Sequence, residues 1–475
     1  MPPSVAILLT LVVYNGALIG IGVWASRRTR DDSDFFLGGR QLGAWVAALS
    51  ASASSSSAWT LLGVSGAAYA WGISALWLFP ATVSGFAINW FWVGPRLMRM
   101  SRERESLTLT EFVAGDPRDP LYPAIVRFAS IAILFSFLFY IASQFQAAGH
   151  AFAGTFGLVP NAAIAVGAAI IVLYTLLGGF WAVSVTDTVQ GMLMVFAAVF
   201  LPAAALVSIG GFGPMIAGLR SVSPTGALEF TRLHPGALGI AFVLGTLGIG
   251  LGYPGQPHVV NRFMALRDEE ALRRGRIISM VWAVLIYAGM LTLGFCARVL
   301  WRDVADAEQV FFETATRLLP PVWAGIMIAA VLSAIMSTAD SQLLVASSSI
   351  SWDWRRARRI AGAEHDPRRL RGTRAVVFAV SLAAMLVAML APAAIFSRVL
   401  FAWHALGSAF GPVLVVRLAG WRVRSGAVLA SIVTGFGLTV LLHFFPDAPG
   451  DAAERLVPLL VALGIAWLGK TNRES

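Results

Sequence analysis

The sequence predicts an all-α polytopic membrane protein of about 13 transmembrane helices, built as two five-helix repeats of opposite topology. Three observations predict it. Hydrophobic residues make up 57% of the 475-residue chain and charged residues 13%, with a mean hydropathy of +0.75, far from the roughly 25% charged share of a globular protein. Apolar runs, all but the last longer than the ~18 residues that mark a bilayer-spanning candidate, recur thirteen times, at about 5–25, 42–70, 74–99, 123–153, 160–180, 187–208, 236–258, 276–299, 320–350, 375–393, 396–417, 424–445 and 455–469. Two of these segments, the second and the seventh, are interrupted by residues that do not sustain a helix.

The first segment lacks a basic leading region and a small-residue cleavage site, so it reads as an uncleaved helix rather than a signal peptide. In the second, Ala51-Ser52-Ala53-Ser54-Ser55-Ser56-Ser57-Ala58-Trp59 is a run of hydroxyls at mid-membrane. Such hydroxyls compete with the helical ladder by bonding to local backbone. A small-residue packing face is the alternative, but six serines within Ser50–Ser57 wrap around every face, which favours a broken helix.

The sixth segment opens at Asp187, within Ser184-Val185-Thr186-Asp187-Thr188-Val189-Gln190. An acidic residue in a first turn complements the helix dipole, so capping and a functional role both stay open here. The seventh contains Gly252-Tyr253-Pro254-Gly255-Gln256-Pro257-His258, where two prolines and two glycines remove backbone donors and rigidity. Unpaired backbone at membrane depth survives only where protein or a watery cavity satisfies it. A simple proline kink explains one such segment, whereas two point to a site for a small polar solute or ion. Lying five segments apart, they relate helices 2–6 (about 42–208) to helices 7–11 (about 236–417) as inverted repeats, flanked by helices 1, 12 and 13. Transporters place substrate and ion where such repeats meet.

The ninth segment carries Ser333-Ala334-Ile335-Met336-Ser337-Thr338-Ala339-Asp340-Ser341-Gln342. Small oxygen-bearing side chains suit a hard cation such as sodium. An ionisable Asp340 inside a spanning helix is a functional candidate by default; bonding an arginine or backbone group to hold helices together is the alternative. His150, His258 and His404 have no ligand-like spacing and read as structural hydrogen-bonding residues.

Charge distribution sets the orientation. The formal charge is +10, yet 28 of the 35 Lys and Arg residues fall in alternate loops and the tail, at 26–41, 96–127, 259–276, 353–374, 417–424 and the C-terminus. The other seven lie on the opposite face. The positive-inside rule makes the richer face cytoplasmic, placing the N-terminus outside and the C-terminus inside, as an odd number of crossings requires. This pattern speaks for a multi-pass protein of the inner (cytoplasmic) membrane and against nucleic acid as a partner. A single cysteine, Cys296, excludes an internal disulfide and a cysteine metal cluster. Extramembrane stretches of at most about 20–30 residues leave no room among them for a signalling domain. No nucleophile, phosphate loop or metal-hydrolase spacing appears, so an enzyme is not expected.

Several stretches resemble the sodium/solute symporter family, closest to the sodium/proline symporters of bacteria. They are Asp34-Phe35-Phe36-Leu37-Gly38-Gly39-Arg40, Ser57-Ala58-Trp59, Leu107-Thr108-Leu109-Thr110-Glu111-Phe112, Ala182 through Gln190, Gly252 through Met264, Met336-Ser337-Thr338 with Ser341 through Val345, Phe401-Ala402-Trp403 and Ala409-Phe410-Gly411-Pro412. The resemblance covers about residues 5–445 and implies a leucine-transporter-like inverted-repeat fold of thirteen helices.

It also implies a main sodium site formed by the carbonyls of Ala53, Ser56 and Ala334 and the hydroxyls of Ser337 and Thr338, with Ser57 and Asp187 in support. Some relatives have a second sodium site, whose matching positions are Asp187, Ser337, Asp340 and Ser341. Substrate-facing matches are Trp59, Tyr140, Ser143, Tyr253 and Pro257. Three departures stand out: Ser55 replaces an aspartate, Ile249 a tryptophan, and His404 a small residue. Asp340, one turn from Ser337, is expected to restore part of the missing negative charge, while Ile249 and His404 alter the cavity wall. The expected activity is sodium-coupled import of a small polar organic solute, proline or a related amino acid or carboxylate, by a chain working as a monomer without cofactor. A proton-coupled carrier and a non-transporting solute sensor are the alternatives.

Overall fold

The computed structural model describes residues 3–26, 37–176, 180–222, 229–354 and 368–473. Asp34, Phe35 and Phe36 of the first family-like stretch, and most of the basic loop at 353–374, lie outside them. Each apolar segment contains helix. These are α1 (Pro3–Ser26), α2a (Ala44–Ala58) with α2b (Val64–Trp71), α3 (Leu78–Ala87, resuming as Gly94–Glu103), α4 (Tyr122–Phe156), α5 (Pro160–Thr175) and α6 (Phe180–Ile209). There follow α7a (Gly236–Gly248) with α7b (Pro257–Ala265), α8 (Glu269–Leu300), α9 (Pro321–Ser348), α10 (Arg368–Leu390), α11 (Ile395–Leu418), α12 (Ser425–Leu442) and α13 (Ala452–Leu468).

Among the described residues, nine helical stretches are by themselves long and apolar enough to cross a membrane. One of them, the 60-residue Ala44–Glu103, takes in both α2 and α3, which turn at Gly72 (φ 63). The apolar stretches Pro160–Leu173 of α5 and Arg374–Leu390 of α10, and the 17-residue α13, fall below that length. In their most apolar windows α11 is 94% and α9 83% buried, against 28% for α1 and α12. The polarity of α9 is therefore interior, and the apolar outer helices face lipid.

Both predicted breaks are present. In α2 the helical course fails at Ser57 (φ 43, ψ −175) and resumes through a wide π turn at Trp59–Gly63. In α7 it narrows to a 3-10 turn over Ile249–Gly255, passes an extended Gln256 (φ −94, ψ 100), and restarts with Pro257 in the first turn of α7b, where a missing N–H costs nothing. The glycines here permit close approach. A Cβ on Gly252 would meet the Trp403 indole at 2.5 Å, and one on Gly255 would meet Gly407 at 2.6 Å, so α11 packs directly on the break.

One boundary is corrected. The sixth helix begins at Phe180 rather than Asp187, which puts Asp187 two turns inside and fully buried. A helix-dipole cap acts only within the first turn, so capping no longer accounts for it. Three short helices, Leu109–Ala114, Phe212–Val222 and Val310–Leu318, also connect the long ones; their runs are too short for an apolar-segment search to find. The first carries a cap legible in sequence: Thr108 Oγ1 accepts the Glu111 N–H at 3.1 Å, and Glu111 in turn accepts the Leu107 N–H at 2.8 Å, close to the capping-box arrangement. At the other end of the chain, β1 (Trp421–Val423) pairs antiparallel with β2 (Lys470–Arg473). That pairing places both ends of the α12–α13 pair on one side.

Candidate substrate and ion site

The two breaks open onto helices that carry most of the buried polar side chains. At the α2 break, the Ser54 carbonyl, which an unbroken helix would pair with the Ala58 N–H, accepts the Thr338 hydroxyl of α9 at 3.1 Å. The Ala58 N–H donates to Gln144 Oε1 of α4 at 3.0 Å. Side chains of two other helices thus complete the interrupted ladder, which is what membrane-depth irregularity demands. On α9 the Ser337 hydroxyl donates to the Ala334 carbonyl at 3.3 Å. Ala53, Ser56, Ala334, Ser337 and Thr338 are all fully buried, and the Ser56 hydroxyl has no partner among the described residues. Ser55 spends its hydroxyl on the Ser52 carbonyl at 2.9 Å, so it does not replace the carboxylate that the resemblance expects there.

Beside these residues lies a charged cluster. Asp187 Oδ2 accepts Ser50 Oγ at 2.7 Å, Ser54 Oγ at 3.2 Å and Arg262 Nη2 at 3.1 Å. Arg262 Nη2 also donates to Ser341 Oγ at 2.5 Å and its Nε to Ser50 Oγ at 3.1 Å. Its Nη1 binds the His258 carbonyl one turn back on α7b, and the Phe180 ring lies 5.2 Å from the guanidinium carbon. Ser341 Oγ shares a hydrogen bond with Ser54 Oγ at 3.0 Å and donates to Asp340 Oδ1 at 3.4 Å. Asp340 Oδ2 has no hydrogen-bond partner among the described residues. Tyr14 of α1 reaches in from the other side to bond Ser333.

An aromatic cluster fills the space beyond the α2 break. Tyr140 donates to Ser57 Oγ at 3.3 Å, and Ser57 Oγ also accepts the Trp59 N–H at 3.1 Å. Ser143 bonds the Tyr140 carbonyl at 2.6 Å and accepts Gln144 Nε2 at 3.1 Å. The Tyr253 hydroxyl pairs with that of Tyr287 at 3.3 Å, which pairs with Thr60 at 3.3 Å. The Tyr253 and Trp403 rings meet edge-on at 4.7 Å. Trp59 packs against Phe396 at 5.6 Å and Tyr287 at 6.4 Å, with its indole N–H unpartnered among the described residues. Pro257 heads α7b next to His258, whose ring lies edge-on to Phe137, Tyr140 and Trp403.

The sequence-expected residues thus fall into two adjoining groups that share the α2 break. Sequence reasoning missed two participants. Gln144 was a polar residue in the middle of a long apolar run, signal enough for a functional candidate. Arg262 reads in the sequence as one of the loop charges of 259–276, because it follows the apolar run that closes at His258, whereas it sits on the helix beyond the break. The structural hydrogen-bonding role expected for His258 and His404 is also corrected: both ring nitrogens of each are buried without a hydrogen-bond partner among the described residues, and the neighbours of the His258 ring are the aromatic rings named above.

A profile described as the sodium:solute symporter family matches residues 35–435. The sodium/proline symporter of Escherichia coli (strain K12) is 37% identical over 452 residues, 93% of this chain and 88% of that protein. The osmoregulated proline transporter of Bacillus subtilis (strain 168) is 34% identical over 473 residues, 98% of this chain and 94% of that protein. Among solved structures, the substrate-bound outward-open state of a Na+-coupled sialic acid symporter matches with a TM-score of 0.80 at 17% identity, over 98% of this chain and 97% of that one. The last likeness is one of fold.

Proposed function

The chain belongs to the sodium:solute symporter family, and from that premise we propose that its solute is proline or a closely related amino acid or carboxylate. It is a multi-pass membrane protein and a sodium-coupled secondary active symporter, not an enzyme. Its fold is of the leucine-transporter-like inverted-repeat class. Within that fold we take α2–α6 and α7–α11 as the two repeats, with α1, α12 and α13 flanking. Thirteen crossings would leave the N-terminus outside and the C-terminus in the cytoplasm, with the chain working as a monomer in the inner membrane.

The main sodium site is assigned to the Ala53, Ser56 and Ala334 carbonyls and the Ser337 and Thr338 hydroxyls. These are neutral oxygens, and Asp340 one turn along α9 supplies the negative charge that Ser55 does not. Solute contacts are assigned to Trp59, Tyr140, Ser143, Tyr253 and Pro257. Proline is favoured by the sodium/proline symporters among the relatives, while Ile249 and His404, where the resemblance expects other residues, keep neighbouring amino acids in the field.

One observation carries the coupling: Ser57, at the α2 break, accepts hydrogen bonds from Tyr140 and from the Trp59 backbone. A sodium drawn to carbonyls on one side of that break fixes the aromatic wall on the other. Each ligand then tightens the other by the same factor. On the side assigned to the cytoplasm, Arg40 holds α7b to the loop after α3 through the Met264 and Ser106 carbonyls, and Leu42 bridges to Leu266. Release of this seam would let bound sodium and solute leave inward. The test is uptake of labelled proline and related solutes into proteoliposomes, with and without an inward sodium gradient. Sodium-driven accumulation of proline or a closely related solute supports the assignment; accumulation of an unrelated solute only, or accumulation driven by a proton gradient without sodium, would refute it.

A further inference from the structure

The residues assigned by resemblance to a second sodium already hold a cation, the Arg262 guanidinium. Asp187 Oδ2 already accepts three donors, from Ser50, Ser54 and Arg262. The Ser341 hydroxyl is committed to Arg262, Ser54 and Asp340. The guanidinium that satisfies them is held on every edge, with Nε on Ser50, Nη1 on the His258 carbonyl and Nη2 on Asp187 and Ser341. Arg262 is 1% exposed and Asp187 and Asp340 are 0% exposed, so no bulk counter-ion screens the cluster.

Charge counting points the same way. Buried charges persist only when matched. With both carboxylates ionised, the state that the guanidinium and a bound sodium favour, the cluster carries a single negative charge, and two carboxylate oxygens, Asp187 Oδ1 and Asp340 Oδ2, remain without a hydrogen-bond partner among the described residues. One sodium at the adjoining main site makes the whole assembly neutral. A second would leave it with an unmatched positive charge beside a fixed guanidinium.

We propose that Arg262 is a tethered cation occupying the place of a second sodium, so that this symporter binds and couples one sodium rather than two. The assignment rests on the main sodium site proposed above. It also gives Arg262 a positioning role. Carried on α7b beyond the break, the guanidinium ties the moving half of α7 to α2, α6 and α9 without being cargo. A relative with a neutral side chain at this position would regain the room for a second ion.

The test is equilibrium binding of radiosodium to the purified full-length protein, counted per molecule, without any solute. The native protein and Arg262→Lys should each bind one sodium. Arg262→Gln, which leaves two unmatched carboxylates, should bind two; the charge-balanced Arg262→Gln/Asp340→Asn should return to one. Two sodium ions on the native protein, or a folded Arg262→Gln that still binds one, would overturn the proposal alone. No sodium binding by the native protein would overturn it together with the functional reading beneath it. Should Arg262→Gln fail to fold, the native count and the charge-balanced double variant still decide.

Discussion

The Thr338 hydroxyl of α9 donates to the Ser54 carbonyl of α2 at 3.1 Å, taking up the acceptor that the α2 break leaves without its regular helical partner. The bond joins the two helices whose oxygens are assigned to sodium. Replacing Thr338 by Val keeps the shape and removes the donor, leaving a buried carbonyl short of a partner at about 1–3 kcal/mol. Half-saturation by sodium should rise roughly 10- to 100-fold, at about 1.4 kcal/mol per decade. Thr338→Ser should stay close to native. Sodium titration of solute uptake separates the two, and equal effects would mean that the hydroxyl is not the operative group.

Ser57 holds φ 43 with ψ −175, a region that only glycine occupies freely and that costs other residues about 1–3 kcal/mol. Its side chain nevertheless links Tyr140 to the Trp59 backbone. Strain and function therefore predict opposite results for two small substitutions. Ser57→Gly should match or exceed the native melting temperature yet bind solute more weakly. Ser57→Ala keeps the strain, loses the hydroxyl, and should fall in both. Thermal melting in detergent alongside solute affinity reads the contrast, and loss of stability in Ser57→Gly would argue that the break is not strained.

How much of this was legible follows from which forces act locally. Breaks in α2 and α7 were readable because serine runs, glycines and prolines act on their own backbone. The oxygen-rich face of α9 was readable for the same reason that it is buried. The start of α6 was not, because Phe180 through Thr186 mix apolar residues with Ser184 and Thr186 and carry no local start signal, and only packing decides where that helix begins. Arg262 was hidden by a different cause. A basic residue just past an apolar run looks like a loop charge, and only the tertiary pairing with Asp187, 75 positions away, makes it interior. Gln144 likewise reveals its task only when the Ala58 N–H is found without its usual partner.

Beyond the end of α12, His443 Nδ1 meets Glu454 Oε2 at 3.0 Å, closing the connection to α13. This bond raises the His443 imidazole above its ordinary range, partly offset by burial. A raised folded-state value means that the contact contributes its full stability below the unfolded pKa of about 6.5 and loses it as pH climbs through the raised value. The native protein should therefore out-melt His443→Gln at pH 6, with the gap closing at alkaline pH. Melting curves of both proteins across that range check the sign, and a gap that widened with pH would refute the pairing.

Arg40 forms the last prediction, because its bonds cross the seam that must part for inward release. Its guanidinium donates to the Met264 carbonyl and Ser101 Oγ at 3.2 Å, the Ser101 carbonyl at 3.3 Å and the Ser106 carbonyl at 2.9 Å. Only a planar fork reaches so many acceptors at once; a lysine ammonium does not. Of these four bonds only that to Met264 reaches α7b, so it is Arg40's share of the seam, beside the Leu42–Leu266 bridge, while the others aim the fork. One hydrogen bond from a charged donor is worth about 1.5 kcal/mol net, roughly tenfold in a closed-to-open ratio. Both Arg40→Ala and Arg40→Lys should then raise the open population about tenfold. The readout is maleimide labelling of Asn261→Cys on α7b, in a Cys296→Ser background, from the side assigned to the cytoplasm. Labelling should quicken in both Arg40 variants and slow again when sodium and solute are added together. Unchanged labelling in Arg40→Ala would mean that Leu42 and Leu266 close the seam without it.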